Sequence, residues 1–341
     1  MRTAFTVAMG VMLALTATEA SAARPESGWV NTVGSARTTE TPELLSFGGM
    51  EYGVVLGQDN RIWISYNSGD YMQHPVAHET RMPPSISVVA GRVVLVHVGV
   101  DNQLYYSFLQ NGNANQWTGW RRVPGNAGAD SAPTLTPFDG RLLLTIARAD
   151  ESVANQAMEV APAGESFYTD YVTTPDIRVP RLRGYSPRIG SSVSHANNRT
   201  RWRFLAVGRD RRVWTGDIDP YNPSRSVPFT QLGDGGVCDS NIAAGQGGPA
   251  ERVVAPGDPQ YQAQQHQAIA CVGNDGNVWT NQTSNGGETY EGWNRTTDGA
   301  GPSTSTPSLN GEGNSIDLRI RWNGNANPRF PDNSVVEKSL F

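Results

Sequence analysis

Apolar and polar residues alternate in short runs along this chain, and the runs are cut by a recurring turn. The turn reads Gly-x-Asp, then Asn, Gly or Arg, then an aliphatic and an aromatic residue. It begins at Gly57 (GQDNRIW), Gly99 (GVDNQLY), Gly208 (GRDRRVW) and Gly273 (GNDGNVW). Period-two alternation predicts half-buried strands. Asp-Asn and Asp-Gly predict two-residue hairpin turns, because those residues tolerate positive φ.

The clearest unit runs from Met82 to Gly125. Ser85–Val89 reads as its first strand, Ala90-Gly91 as a turn, and the β-branched stretch Arg92–Val98 as its second strand. After the Asp101-Asn102 turn, Gln103–Phe108 is the third. The polar loop Asn111–Asn115 then leads to a fourth, Trp117–Val123. Four strands joined by short turns make one blade of a β-propeller. The next unit begins at Ser131–Leu135 and Arg141–Ile146, but its third strand looks degraded around Asp150-Glu151-Ser152, where no aromatic follows.

Turn aspartates at Asp59, Asp101, Asp150, Asp210, Asp275 and Asp332 recur every 42 to 65 residues. Repetition of a supersecondary unit at this scale marks a propeller or solenoid. The expectation is an all-β propeller of six blades, or seven if a long interval hides a degenerate one. Gly119-Trp120 and Gly292-Trp293 mark fourth strands, and Gly28-Trp29 repeats the pair ahead of any first strand. Pairing of Trp29–Val33 with the C-terminal strands would close the ring and remove its open edges.

Residues 1–22 read as an export signal: Arg2, an apolar run from Ala4 to Ala17, and the small-residue site Ala20-Ser21-Ala22. The run is too short for a permanent anchor. Residues 23–341 are then expected to be one propeller domain, secreted to the periplasm or the medium and not anchored in a membrane. Export favours a disulfide between the two cysteines, Cys238 and Cys271. Cys238 sits in a first-strand pattern and Cys271 ends the following second strand. The bridge would staple a loop insertion near 245–265.

The formal net charge of −5 argues against a nucleic-acid partner, despite local arginine clusters from Arg178 to Arg212. No motif for metal, phosphate or nucleophilic catalysis occurs, so no cofactor and no catalytic residue is assigned. His74 and His78 have helical metal-ligand spacing, but Pro75 lies between them. Asp59, Asp101, Asp210 and Asp275 read as residues that bond their own turns.

Thr283-Ser284-Asn285-Gly286-Gly287-Glu288-Thr289-Tyr290 resembles the Asp-box turn of sialidase-type propellers, with Thr for Ser, Asn for Asp and Tyr for Trp. In those proteins the box is structural. Their arginine triad, tyrosine nucleophile and acid cannot be assigned here. A closer resemblance is to bacterial sugar-binding propeller lectins, carried by Gly99–Ser107, Trp117–Gly125 and Ser131-Ala132-Pro133. It implies shallow sugar sites between blades, lined by Tyr105, Trp117 and Trp120 in one blade and by Trp279 and Trp293 in another. Trp117, next to an Asn-rich loop that offers Asn113 and Asn115, is the expected exposed ring. Trp120 is expected to pack inside. The aromatics at one repeat position, Trp63, Tyr105, Trp214 and Trp279, also read as packing between blades. The resulting expectation is a lectin that binds glycans or glycoconjugates. The alternatives are a sialidase-like glycoside hydrolase and a scaffold for an extracellular protein partner.

Overall fold

The computed structural model describes residues 30–31, 38, 40–67, 69–110, 116–138, 140–161, 164–167, 172–180, 189–196, 199–219, 222–226, 229–233, 235–246, 266–296, 303, 305–312, 315–321 and 335–340. Among them there is no helix, and the strands form six antiparallel sheets of four or five strands. The first sheet comprises Glu43–Phe47, Met50–Leu56, Ile62–Tyr66 and Met72–Gln73. The second comprises Ser85–Val89, Arg92–Val98, Leu104–Phe108 and Arg121–Arg122. The third contains Thr134–Phe138, Arg141–Ala147 and Ser152–Ala161, with Gly164–Phe167 and Val172–Arg178 both paired to the last of these. The fourth contains Gly190–Ala196, Arg199–Val207 and Val213–Asp219, edged by Asn222–Ser226 and Thr230–Gln231. The fifth comprises Ala243–Gln246, Gln267–Val272, Val278–Thr283 and Asn294–Arg295. In the sixth, Ser308–Glu312, Ser315–Arg321 and Val335–Ser339 are joined by the N-terminal pair Val30–Asn31. Val30 pairs with Glu337 and Asn31 with Val336, so the two ends of the described chain share a sheet.

The first strand of each sheet touches the first strand of the next, from sheet one through sheet six, and Ser308–Glu312 of the sixth touches Glu43–Phe47 of the first. Polar bonds mark that last contact. Asn310 Nδ2 donates to Ser46 Oγ at 3.2 Å, and Arg319 Nη2 donates to Glu51 Oε2 at 2.9 Å.

Strand alternation divides each sheet between two neighbours. In Arg92–Val98, Val93 and Leu95 pack toward the first sheet with Tyr52, Val54 and Ile64. Val94, Val96 and Val98 pack toward the third sheet with Leu142, Leu144 and Ile146. Both faces are apolar because both are covered, and the core is therefore a set of seams between sheets. Leu143, Trp202 and Phe204 fill the third seam, and Ala268, Ile316 and Leu318 the fifth.

The repeated turn is a three-residue loop, not the two-residue one expected from sequence. Asn60 N–H donates to Gly57 O at 3.0 Å and Gly57 N–H to Arg61 O at 2.8 Å. The same pair of bonds recurs from Gly99, Arg148, Gly208 and Gly273. The third loop residue is left-handed in every case: Asn60, Asn102, Glu151, Arg211 and Gly276, with φ from 60° to 75°. A turn followed by one left-handed residue is the usual three-residue hairpin. The aspartate before it accepts the backbone N–H two residues on, at 2.9–3.1 Å, in all five turns. That bond offsets the strain that Glu151 and Arg211 would otherwise carry.

The glycine and the aromatic of the repeat belong together. A Cβ on Gly57 would lie 2.6 Å from Trp63 Nε1, and one on Gly99 would lie 2.8 Å from Tyr105 Cε2. Where the aromatic is replaced by Ala154, the glycine is replaced by Arg148. The strand expected to be degraded there is intact; Ser152–Ala161, at 10 residues, is the longest strand described.

The two cysteines are bonded, with Cα atoms 5.8 Å apart. Cys238 lies in an isolated bridge opposite Gly273, before the fifth sheet's first strand and not within it. Gly245 and Gln246 belong to that strand, and the rest of the expected insertion lies outside the described residues, as do residues 1–22, Trp29 and the Asp332 turn. No described helix is long and apolar enough to cross a membrane.

Candidate functional site

The predicted aromatics fall in two seams, and their burial differs from expectation. Trp117 is only 6% exposed. Its backbone bridges Leu109, which turns the ring inward between the first and second sheets, where Nε1 donates to Tyr66 Oη at 3.3 Å. It is a core residue of the seam, not an exposed ring. Burial pushes the Tyr66 phenol up to about 12. Trp120 is half-buried in the same seam and donates from Nε1 to Val76 O at 2.9 Å. Tyr105 is also half-buried, with its hydroxyl 2.9 Å from Asp101 Oδ2. Asn113 and Asn115 lie outside the described residues.

Trp279 and Trp293 lie at the seam of the fourth and fifth sheets. Trp279 Nε1 donates to its own turn's Asp275 at 3.2 Å, as Trp63 and Trp214 do to Asp59 and Asp210. Trp293 presses on Gly236, where a Cβ would sit 2.2 Å from Nε1. Tyr105, Trp117 and Trp120 share one seam, and Trp279 and Trp293 lie at the other without a described contact between them.

Sequence reasoning weighed His74 and His78 only as a metal pair, set aside because of Pro75, and did not single out His97. His74 and His78 lie in the loop that joins the first sheet to the second, and His97 on the second sheet faces them. His97 is 4.7 Å from His78, 4.4 Å from Trp120 and 5.7 Å from Tyr105, ring centre to ring centre. His74 stacks 4.6 Å from Trp120 and 5.2 Å from Trp117. His97 is fully buried, with the Val98 backbone beside its ring but no hydrogen bond of good geometry to either nitrogen. Nε2 of His74 and Nδ1 of His78 are likewise without one. Burial lowers the His74 pKa to about 4. Burial, reinforced by His78, lowers that of His97 to about 3. Burial lowers His78 as well. The three rings are neutral at pH 7 and pack as flat aromatic surfaces. Among the described residues no group of three or more His, Cys, Asp or Glu side chains is placed to hold a metal ion.

A cavity of about 500 Å³ opens in this first seam. Its lining residues are Phe47 and Tyr52 from the first sheet, Gly91, Arg92 and Val93 from the second, and Leu109 and Gln110. Gln110 starts the loop that holds Asn113 and Asn115. The Arg92 guanidinium lies 4.0 Å from the ring centre of Phe108, on the face that packs against the third sheet. The wall facing the first seam is therefore aromatic and aliphatic, with a phenol and a carboxamide. None of the described lining residues is a carboxylic acid.

The cavity and the histidines share walls. Tyr52 meets Tyr66 edge-on at 5.3 Å, Tyr66 holds Trp117, and Trp117 contacts both His74 and the cavity residue Leu109. Phe47 and Tyr52 gave no motif signal. Only their place in the alternation beside the Gly48-Gly49 turn could have pointed to them.

Elsewhere one buried acid is held in an ion pair. Arg203 and Asp217 form a buried two-bond pair at 2.8 and 3.1 Å, and Arg203 also donates to Gly287 O. That bond anchors the Asp-box-like turn, in which Asn285 Oδ1 accepts from Thr289 N at 3.1 Å. The turn is structural, as expected.

No family model matches the chain. Solved structures share its fold at low identity. Aleuria aurantia lectin, in complex with Fucα1-6GlcNAc, superposes with a TM-score of 0.56 at 12% identity, over 84% of this chain and 89% of the lectin. AofleA from Arthrobotrys oligospora gives 0.58 at 9% identity, over 93% and 86%. The α-L-arabinanase of Penicillium chrysogenum, complexed with arabinobiose, gives 0.54 at 12% identity, over 93% and 98%. The likeness extends to the fold: an all-β arrangement of antiparallel sheets shared with β-propellers, some of which bind sugars and some of which cleave them.

Proposed function

We propose that this chain is an exported six-bladed β-propeller, with residues 23–341 forming one domain closed by its N-terminal strand, and that it binds a glycan in the cavity between its first two blades. The six sheets, the cyclic order of their first-strand contacts and the pairing of Val30–Asn31 with Val335–Ser339 support the ring. One observation carries the binding reading: the seam holds a cavity walled by Phe47, Tyr52, Val93 and Leu109, with the Gln110 amide at its edge. Aromatic and aliphatic walls cover the C–H faces of a sugar ring, and a few polar groups orient its hydroxyls.

A glycan array tests the reading. Binding without turnover is expected, and Phe47→Ala should weaken it by about 1–3 kcal/mol while far-UV circular dichroism stays unchanged. The arabinanase likeness favours a second reading, glycoside hydrolysis, which needs an acid pair elsewhere in the molecule. Turnover of an aryl arabinofuranoside that a single Asp or Glu substitution abolishes would establish that reading instead. A protein that binds no glycan but captures an extracellular protein would be a scaffold.

A further inference from the structure

Three of the five histidines of this chain meet at one seam, the seam that holds the cavity. A buried imidazole always carries a donor or an acceptor that needs a partner. His97 has the Val98 backbone beside it but makes no hydrogen bond of good geometry, and His74 and His78 each leave one nitrogen unmet. Protonation would add a second donor to each ring. It would also place like charges on His78 and His97, whose centres are 4.7 Å apart in an aromatic enclosure. For the buried rings His74 and His97, both effects are relieved by admitting water, which means parting the two sheets.

The groups facing the cluster do little to oppose this. The Asp101 carboxylate is held by the Gln103 amide and the Tyr105 hydroxyl. Glu79 is exposed; it and Asp101 favour the charged form of His78, but burial outweighs them. Arg122, on the outer strand, adds positive charge near Asp101 and Tyr105. Tyr66 faces from the first sheet but stays a neutral phenol. Trp117 and Trp120 carry no charge. No carboxylate therefore occupies the space between the rings.

We propose that the His74–His78–His97 cluster is an acid-sensitive latch: protonation opens the seam between the first and second sheets and collapses the cavity it encloses. His74 supports Trp117, Trp117 holds Tyr66 and Leu109, and Tyr52 and Leu109 form the cavity wall. A ligand bound there is released in acid. The release rests on the glycan reading above; the opening does not.

Amide hydrogen exchange of the full chain, without ligand, reads the opening directly. Between pH 7 and pH 3.5, after correction for the intrinsic pH dependence of exchange, residues 74–80 and 104–110 should lose protection at least tenfold. Residues 232–240 and 278–283 of the disulfide-linked seam should keep theirs. His97→Phe retains the ring and removes the titration, and should move the opening down by at least one pH unit. His78→Phe, at a less buried position, is the second variant should His97→Phe fail to fold at pH 7. Equal loss of protection at both seams, or an unchanged midpoint in the folded variant, would overturn the latch. α-Methyl-L-fucoside is the probe for release. Binding at pH 7 that persists after the seam has opened would overturn the release, while a seam that opens in a protein that binds no glycan would leave the latch standing and remove the glycan reading.

Discussion

The seam between the first and second sheets and the seam between the fourth and fifth are built on one plan and held by opposite means. Strand register aligns them. Gln73 pairs with Trp63 as Gln231 does with Trp214, Thr80 bridges Gly99 as Cys238 bridges Gly273, and Arg122 pairs with Tyr105 as Arg295 does with Trp279. Position by position, His74 corresponds to Leu232, His78 to Gly236, Thr80 to Cys238, His97 to Cys271, Trp117 to Tyr290 and Trp120 to Trp293. In one seam the connecting loop is tied by a disulfide, and Gly236 lets Trp293 close over it. In the other it is tied by the Thr80 hydroxyl, 2.7 Å from Val98 O, and by neutral imidazoles that meet edge-on. The lesson is that a repeat fold can give equivalent joints different sensitivities, one to reductant and one to acid, by exchanging two or three side chains.

The largest expected effect comes from Trp117. Its replacement by alanine leaves a hole in the first seam and should cost about 3–5 kcal/mol in urea unfolding. Trp120→Ala, at a half-exposed ring, should cost about 1–3 kcal/mol. Equal losses would show that the difference in burial does not govern that seam.

Removing the disulfide by Cys238→Ser with Cys271→Ser should cost about 3–4 kcal/mol, because the unfolded chain regains the entropy of a closed loop. The loss should appear at the fourth–fifth seam by hydrogen exchange and leave the first seam unchanged at pH 7. Reductant acting on the native protein should reproduce it.

Acid should act on the other seam. His74 and His97 have folded pKa values of about 4 and about 3, below the ordinary value near 6.5. The unfolded chain therefore binds protons first as pH falls. The stability from the neutral rings is complete above about pH 6.5 and is lost as pH drops toward 3. Each of the two rings is expected to contribute a loss of about 3 kcal/mol between pH 7 and pH 4 by the linkage relation, measured as a shift in urea midpoint. A flat profile over that range would remove the contrast between the seams.

The smallest and sharpest test transplants one joint onto the other. Thr80→Cys with His97→Cys places cysteines where Cys238 and Cys271 stand in the related seam. Thiol titration of the oxidised protein should show a new disulfide, with a gain of about 1–2 kcal/mol at pH 7 and a weakened acid response. A pair that stays reduced would show that the two seams differ in backbone as well as in side chains.

Much of this was legible in the chain. Strand alternation, the Gly-x-Asp turns, the aspartates bonding their own turns, the Cys238–Cys271 bond and the structural Asn285 turn all arise from residues close in sequence or from short-range geometry. The pairing of Gly57 with Trp63, and the joint loss of both features at Arg148 and Ala154, is local in the same sense. The three-residue loop was missed because Asp-Asn suits both loop lengths, and the inter-strand hydrogen bonds decide between them. Trp117 was misplaced because alternation says that a ring lies on one face of a sheet without saying how closely the next sheet covers it. His97 was unreadable as a site because its partners, His74 and His78, come from a loop that only the packing of two sheets brings beside it.

By itself, then, the sequence determined an all-β repeat, its turns and its covalent tie, because each depends on torsional preference and spacing within one unit. Only the tertiary structure decided where Phe47, Tyr52 and Gln110 meet to leave a cavity, and which seam is held by neutral imidazoles. Those features exist between sheets, and what lies between sheets is set by the packing of residues distant along the chain.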